Sequence, residues 1–333
     1  MTKLRRFPPL ALIGILLVGT GVAVFVGASV TYLPFLFLTL DARPFFQAVL
    51  WIQGAPIVLG IAFLLSDLML IYPKRRNSLR PIQTPENLSK EREVLTVVLT
   101  ALNDENAVGP VVRDFVAHPR VKRVVLVDNS STDNTAKNAM ESGAIVISES
   151  KRGYGRCVYR ALTEGAKFSD TEFVLLCEGD GTFAATDIDK FLAYANRAHI
   201  VLGTRIVELL REPRTQLTTF IYWGNYLAAK LLEFKHLGKA TLSDLGTTYK
   251  LCRSDFLREN LSLYNPSVNL EFNAHFLDVS LAHGFRLVEI PIEFRARVGN
   301  SKGGNSSNLR AIQVGLKMLV GIGFSWNLVR SNR

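Results

Sequence analysis

Two acids at the end of an apolar run have the clearest chemical use in this chain. Phe173-Val174-Leu175-Leu176-Cys177 stops abruptly at Glu178-Gly179-Asp180-Gly181. A continuous apolar run of this length reads as a strand buried on both faces, with its carboxyl end as a site. Glu178 and Asp180 are two apart, so in extended backbone their side chains share a face, while Gly179 and Gly181 leave room for a ligand beside the main chain. Paired carboxylates with space around them suit a hard divalent cation. Mg2+ or Mn2+ takes one or two protein carboxylates and fills its other positions with water and phosphate oxygens. A polar turn closing a core strand would leave the same sequence, so the neighbouring motifs must decide between the two.

The elements that position these acids follow a repeating form. Val94 to Thr100 is a β-branched run leading into Ala101-Leu102-Asn103-Asp104-Glu105, and Val108 to Phe115 has helical spacing. Val121 to Val127 repeats the pattern and ends in Asp128-Asn129-Ser130-Ser131-Thr132-Asp133, while Ala144 to Ser148 and Phe173 to Cys177 read as two further strands. Strands alternating with helices predict an α/β domain with a mostly parallel sheet, which binds ligands beyond the carboxyl ends of its strands. All three acidic clusters fall at that edge. Arg152-Gly153-Tyr154-Gly155 opens the next helix, where glycine permits close backbone approach and free amides attract an anion. Further on, Asn269 to His283 reads as a helix carrying Glu271, and Phe285 to Phe294 as a strand. His275 and His283 read as helix-surface residues, because no paired acid or nucleophile motif accompanies them.

The flanks of this domain point to a membrane. The 333 residues are 48% hydrophobic with a net charge of +10, which favours anionic partners such as nucleotide diphosphates, lipid phosphates or a bilayer surface. No nucleic-acid-binding motif accompanies the charge. Cys157, Cys177 and Cys252 lack metal-ligand spacing and read as reduced core residues. Leu10 to Val30 and Pro44 to Ser66 are uncharged and long enough to span a bilayer, too long for a signal-peptide core. Lys3, Arg5 and Arg6 precede the first span, and Lys74, Arg75, Arg76 and Arg80 follow the second. The positive-inside bias therefore puts the N-terminus and the following domain in the cytoplasm. The expected organisation is a two-helix membrane region at 1–76, a polar linker at 77–93, the α/β domain at 94–302, and a C-terminal loop and helix at 303–333. Within the domain, 206–236 mixes an apolar face, aromatics and flanking cations, as in a helix lying among lipid headgroups. Residues 311–329 are apolar but interrupted by Lys317, Gly321 and Gly323, which favours an interfacial helix over a third span.

Taken in order, the motifs resemble inverting glycosyltransferases of family 2, which have the GT-A fold, and among them polyprenyl-phosphate sugar synthases of the dolichol-phosphate mannose synthase type. Thr100-Ala101-Leu102-Asn103-Asp104-Glu105 stands where the family has Pro-Ala-Tyr-Asn-Glu-Glu, and Val127-Asp128-Asn129-Ser130-Ser131-Thr132-Asp133 where it has Val-Asp-Asp-Gly-Ser-x-Asp. Glu178-Gly179-Asp180 stands at the Asp-x-Asp metal motif, Gly203-Thr204-Arg205 is similar to Gly-Ser-Arg, and Arg295 to Lys302 is similar to Arg-x-Arg-x-x-x-Ser-Lys. The resemblance implies that Asp104 and Asp128 contact the base and ribose of a nucleotide sugar, with Arg152 and Gly155 passing close to the nucleotide. Asp180, with Glu178 beside it, would hold Mg2+ or Mn2+. Arg205, Arg295, Arg297, Ser301 and Lys302 would meet the diphosphate or the acceptor. Asp244, before Thr248-Tyr249-Lys250 where the family has Gly-Phe and a basic residue, would face the acceptor.

The implied reaction moves a sugar from a nucleotide diphosphate to a polyprenyl phosphate. The acceptor is already largely dianionic at neutral pH, so the protein supplies positioning and charge neutralisation rather than a strong base. Two alternatives remain at this stage. A hydroxyl acceptor would require a base, for which Asp244 is the candidate. A non-catalytic membrane adaptor of the same fold is the other, since Glu178, Thr100 and Leu102 depart from the family pattern.

Overall fold

The computed structural model describes residues 10–37, 43–71, 79–82, 94–236, 239–299 and 308–326. The chain divides into two compact units, residues 1–78 with 234–238 and residues 79–233 with 239–333.

The first unit is a helical hairpin, α1 (Leu10–Phe37) and α2 (Arg43–Ser66), closed by a π-helical turn at Asp67–Ile71. Its two apolar stretches, Leu10–Tyr32 and Pro44–Leu70, have mean hydropathies of 2.5 and 2.1 and are long enough to cross a membrane. Small residues let the two backbones touch. A Cβ on Gly14 would lie 2.6 Å from the Gly60 carbonyl oxygen, and one on Gly60 equally close to that of Gly14. The Ala11 amide, one of the donors left over at a helix start, donates to Asp67 Oδ2 at 2.8 Å. That bond ties the beginning of α1 to the end of α2, so both flanks of the hairpin lie at one end of it.

The second unit is built on a seven-stranded sheet. Its strands are β1 (Leu95–Ala101), β2 (Val121–Asp128), β3 (Ile145–Ser148), β4 (Phe173–Glu178), β5 (Ile200–Thr204), β6 (Lys250–Arg253) and β7 (Leu287–Pro291), in the spatial order β3-β2-β1-β4-β6-β5-β7. Only β6 runs antiparallel to its neighbours. The mostly parallel α/β sheet expected from the alternating pattern is present. Flanking it are α3 (Glu105–Val116), α4 (Thr135–Glu141), α5 (Tyr154–Ala166), α6 (Ile188–Tyr194), α7 (Thr219–Lys235), α8 (Ser254–Asn260), α9 (Phe272–Ala282) and α10 (Asn308–Gly323).

Successive side chains of a strand point to opposite faces, and here each face meets its own core. Val98, Val174 and Leu176 pack with Val158 and Leu162 of α5 and Phe276 and Leu277 of α9. Val97, Leu99 and Leu175 pack with Val112 and Phe115 of α3 and Phe191 of α6. Each such fully buried Leu or Phe contributes about 1.5–3 kcal/mol by leaving water. Covered on both sides, the strands read as unbroken apolar runs.

The strand order decides where a site can form. The chain runs from β1 to β2 to β3 on one side, then α5 returns it to β4 on the other side of β1. The carboxyl ends of β1 and β4 therefore flank a topological switch point, the usual crevice for a ligand in such sheets. Because β6 is antiparallel, with Lys250 opposite Leu176, its entry loop over 244–249 lies at this same edge.

One local expectation is revised, and two helices are given their bounds. His275 is not on the helix surface: it is 3% exposed, accepts the Asn265 amide at Nε2 (2.9 Å) and faces the rings of Tyr264, Phe272 and Trp326. Burial pushes its pKa down to about 4, so it is neutral. The expected interface helix at 206–236 is a 3-10 turn at Glu208–Leu210 followed by α7, which buries Ala228, Ala229 and Leu232 and exposes Phe220, Trp223 and Leu227. At the C-terminal end, α10 is helical over 16 of the described residues, Asn308–Gly323. It exposes Leu309, Ile312 and Leu316, while Ile322 and Trp326 are buried and the Trp326 indole donates to Asp278 Oδ2 at 2.6 Å.

Candidate active site

Adjacent strands deliver the acids to one place. Register sets Glu178 opposite Thr100 and Asp128 opposite Ala101, so the ends of β2, β1 and β4 are level. Asp104, just past β1, is held by its own amide, which donates to Thr135 Oγ1 (2.7 Å), and by the Leu102 amide on its Oδ2 (3.1 Å). Asp128 accepts the Ser131 amide at Oδ2 (3.2 Å), while its Oδ1 is buried without a hydrogen-bond partner. Asp180 is 2% exposed, and its Oδ1 accepts the Thr182 amide (3.1 Å) and hydroxyl (2.6 Å). The turn that places it needs Gly181, whose φ of +83° is costly for a residue with a side chain.

A guanidinium joins these acids. Arg297 Nη2 donates to Asp104 Oδ1 at 2.8 Å, and Nη1 lies 3.0 Å from Asp180 Oδ2. Its segment is pinned across the acidic turn, the Arg295 amide donating to the Thr182 carbonyl (2.9 Å) and the Val298 amide to the Asp180 carbonyl (3.1 Å). Asp104 and Asp180 belong to loops far apart in sequence, and one side chain touches both.

The donor set fits a hard divalent cation. Glu178 and Asp180 are neighbouring oxygen donors, and Asp180 Oδ2 meets an ion-pair partner rather than a hydrogen-bond donor. Burial first and the Asp180 charge second push Glu178 up to about 7, as expected of two neighbouring buried carboxylates. Among the described residues no three or more His, Cys, Asp or Glu side chains are placed to hold one metal ion together, so protein ligands would fill only part of a metal's shell.

Behind Glu178 lies a buried network that sequence reading missed. Its Oε1 accepts the Thr248 hydroxyl at 2.6 Å and lies 3.4 Å from Tyr154 Oη; Tyr154 and Thr248 also bond to each other. Asn273 of α9 donates to Tyr154 Oη (2.8 Å) and accepts from Lys250 Nζ (2.9 Å). Burial lowers the Lys250 amine to about 7. Glu178 thus has one oxygen, Oε1, already engaged by Thr248 and Tyr154. A second missed latch joins the loops after β1 and β2: Asn103 and Ser130 adopt positive φ (51° and 62°), and the Asn103 amide donates to Ser131 Oγ while Asn103 Oδ1 accepts the Thr132 amide, both at 2.8 Å. Uncommon backbone at the site rim is characteristic of functional loops.

Other expected site residues have different surroundings. Arg205 is not open to a phosphate. Its Nε and Nη2 donate to Asp244 Oδ2 and Oδ1 at 2.7 and 2.8 Å, with Arg205 8% and Asp244 0% exposed. Asp244 also accepts from the amides of Arg205 and Gly246 and from the Asn225 side chain. Burial opposes its charge, yet Arg205 and these donors hold its pKa below the ordinary value. Saturated in this way, it makes a poor general base. Gly155 owes its lack of a side chain to packing, since a Cβ would sit 1.7 Å from the Val268 carbonyl oxygen. The nearby amides of Gly153 and Tyr154, where an anion was expected, are taken by Asn129 and Asn269 (3.0 and 2.7 Å). Arg152 is exposed, its Nη2 3.5 Å from the Ser130 carbonyl, and Arg295 is half-exposed, 3.4 Å from Glu293. Ser301 and Lys302 lie outside the described residues.

Comparison with known proteins agrees with this geometry. The family model for glycosyl transferase family 2 matches residues 96–260. A dolichyl-phosphate hexose transferase of Haloferax volcanii is 29% identical over 210 residues, covering 62% of this chain and 86% of that protein. A dodecaprenyl-phosphate galacturonate synthase of Rhizobium johnstonii is 26% identical over 177 residues, which is 50% of this chain and 49% of its relative's length. Among solved structures, glucosyl-3-phosphoglycerate synthase from Mycobacterium tuberculosis, in complex with Mn2+, UDP-glucose and glycerol 3-phosphate, has a TM-score of 0.51 at 15% identity, covering 69% of this chain and 80% of that one. At that identity the likeness bears on fold alone, and the fold is GT-A. With its acids gathered at the switch point and the match to glycosyl transferase family 2 running from β1 into α8, the chain is a glycosyltransferase similar to that family.

Proposed function

We propose that this enzyme transfers a sugar from a nucleotide diphosphate to a polyprenyl phosphate at the cytoplasmic face of a membrane, inverting the anomeric carbon. The observation that carries the site is the convergence of Asp104, Asp128 and Asp180 on one crevice, two of them bridged by Arg297. Asp128 Oδ1, buried and without a hydrogen-bond partner, is an acceptor awaiting a donor such as a ribose hydroxyl or a base N–H. The acceptor class rests on the names of the two relatives, both of which use a lipid-linked phosphate, and on the saturation of Asp244. A hydroxyl acceptor needs a base; a phosphate dianion does not.

In this reading the chain's own residues do the positioning. Asp104 and Asp128 orient the nucleoside, and Asp180, with help from Glu178, holds a divalent cation against the diphosphate. Such a cation supplies positive charge to the leaving group. Arg297 and Arg295 border the same turn and contribute cationic charge, with Ser301 and Lys302 following in sequence. Bringing two anions into line is then a matter of neutralisation and orientation. Membrane attachment is assigned to α1 and α2. The Ala11–Asp67 bond sets both ends of the hairpin together, and the basic residues Lys3, Arg5 and Arg6 and Lys74, Arg75 and Arg76 that flank it support a cytoplasmic side for those ends.

The test supplies membranes containing the full chain with radiolabelled UDP- and GDP-sugars, adding either polyprenyl phosphate or the matching polyprenol. Label entering an acid-labile lipid only with the phosphate supports the reading. Label entering a glycan or the polyprenol instead contradicts it.

A further inference from the structure

The Arg297 contacts raise a question that the transfer reaction leaves open. Asp180 has two carboxylate oxygens, and both are engaged within the protein: Oδ1 by Thr182, Oδ2 by the Arg297 guanidinium at 3.0 Å. A divalent cation approaching Oδ2 meets a resident positive charge at the same atom. Two cations at one carboxylate oxygen repel, and in a pocket where Asp180 is 2% exposed little solvent screens them. The guanidinium is also incompletely held. Its Nε is buried without a hydrogen-bond partner, and its side chain keeps 12% exposure.

We propose that Arg297 is a built-in counter-cation that a divalent metal displaces from Asp180, and that a nucleoside diphosphate drives the exchange by giving the guanidinium a new anion. The inference rests on the cation-and-nucleotide reading of this site. Backbone geometry suits such an exchange. The amides of Arg295 and Val298 are bonded to the carbonyls of Thr182 and Asp180, so the root of the arm stays fixed while the side chain turns. A guanidinium released from Asp180 remains beside the metal site, where a diphosphate on that metal would lie. Its fork of donors matches phosphate oxygens as well as it matches carboxylates. Metal and nucleotide then bind with strong mutual coupling, because either one alone must break the Arg297 pair without full compensation.

The experiment titrates Mn2+ into the detergent-solubilised full chain, reading free Mn2+ by electron paramagnetic resonance, with and without UDP and GDP. Wild-type protein should bind Mn2+ weakly alone and much more tightly with whichever diphosphate it accepts. In Arg297→Gln, Mn2+ alone should bind about ten-fold more tightly, the factor expected from removing one charge-assisted contact that competes for the ligand. Its coupling to the diphosphate should shrink by a similar factor. Arg297→Lys, which keeps the charge but loses the fork, should lie between the two and serves if the glutamine variant unfolds. Mn2+ binding to Arg297→Gln that equals or falls below wild type, with coupling unchanged and the thermal melt intact, overturns the exchange. Absence of Mn2+ binding to every form, even with both nucleotides, overturns the exchange together with the metal reading beneath it.

Discussion

Arg205 and Arg297 each meet buried carboxylates at the same edge of the sheet, and they differ in how completely they are enclosed. Around Asp244 every group is matched: two guanidinium nitrogens, two backbone amides and the Asn225 side chain converge on it, while Glu289 accepts the amides of Ser243 and Asp244 (3.1 and 2.9 Å). Around Asp180 the matching is partial. Arg297 is shared between two acids, its Nε is without a hydrogen-bond partner, and Asp128 Oδ1 nearby in the same edge is likewise buried and unsatisfied. A closed cluster ties β5 to the loop entering β6 and contributes shape. An open one leaves capacity for a ligand, and only the second is expected to answer to metal and nucleotide.

That contrast can be broken by substitution. Asp244→Ala leaves the Arg205 charge buried without its carboxylate, and the fold should lose about 3–5 kcal/mol. Denaturant unfolding of the purified chain measures it, and a loss below 1 kcal/mol would show the cluster to be less closed than its bonds suggest. Asp180→Asn keeps an oxygen for Thr182 and leaves Arg297 its bond to Asp104, so folding should survive. Its turnover should nonetheless fall roughly a hundred-fold, as when one electrostatic stabiliser of a transition state is removed. Near-normal rates in the folded variant would transfer the chemistry elsewhere.

A smaller effect probes a region remote from both clusters. Burial holds the His275 imidazole at about 4, below its ordinary value of 6.5, so its native form is neutral. A group whose folded pKa is depressed contributes its full stability above the unfolded pKa and loses it as pH falls. Stability should therefore decline between pH 6.5 and 4, and His275→Gln, which keeps an acceptor for the Asn265 amide, should flatten that decline. Melting temperatures across this range would detect it, and identical slopes would mean that other groups dominate.

What could be read in advance tracks the range of the interactions concerned. The runs ending at Thr100, Val127 and Cys177 declare themselves because both faces are covered, and their acids follow within a few residues. β6 was hidden. Lys250 and Arg253 bound a four-residue strand, and Lys250 is buried only because Asn273, 23 residues on, and the Thr247 carbonyl accept from it. The Arg205–Asp244 pair joins residues 39 apart through the antiparallel entry to β6, so a motif match at Arg205 could not disclose that its charge is already neutralised. His275 misled for another reason: α9 is buried on most of its circumference, and the amphipathic contrast that marks an inward face is faint. Gly155 matched a glycine-rich loop in type, yet the contact that demands glycine is the Val268 carbonyl.

The central claim is that acids from separate loops form one cation and nucleotide crevice at the ends of β1 and β4. Crystals grown with Mn2+ and UDP or GDP, measured at a wavelength where manganese scatters anomalously, test it most directly. The account predicts a peak within coordination distance, about 2.0–2.3 Å, of an Asp180 carboxylate oxygen, with the diphosphate beside Arg297. A manganese peak on another face of the domain, or a nucleotide bound away from Asp104 and Asp128, would contradict it.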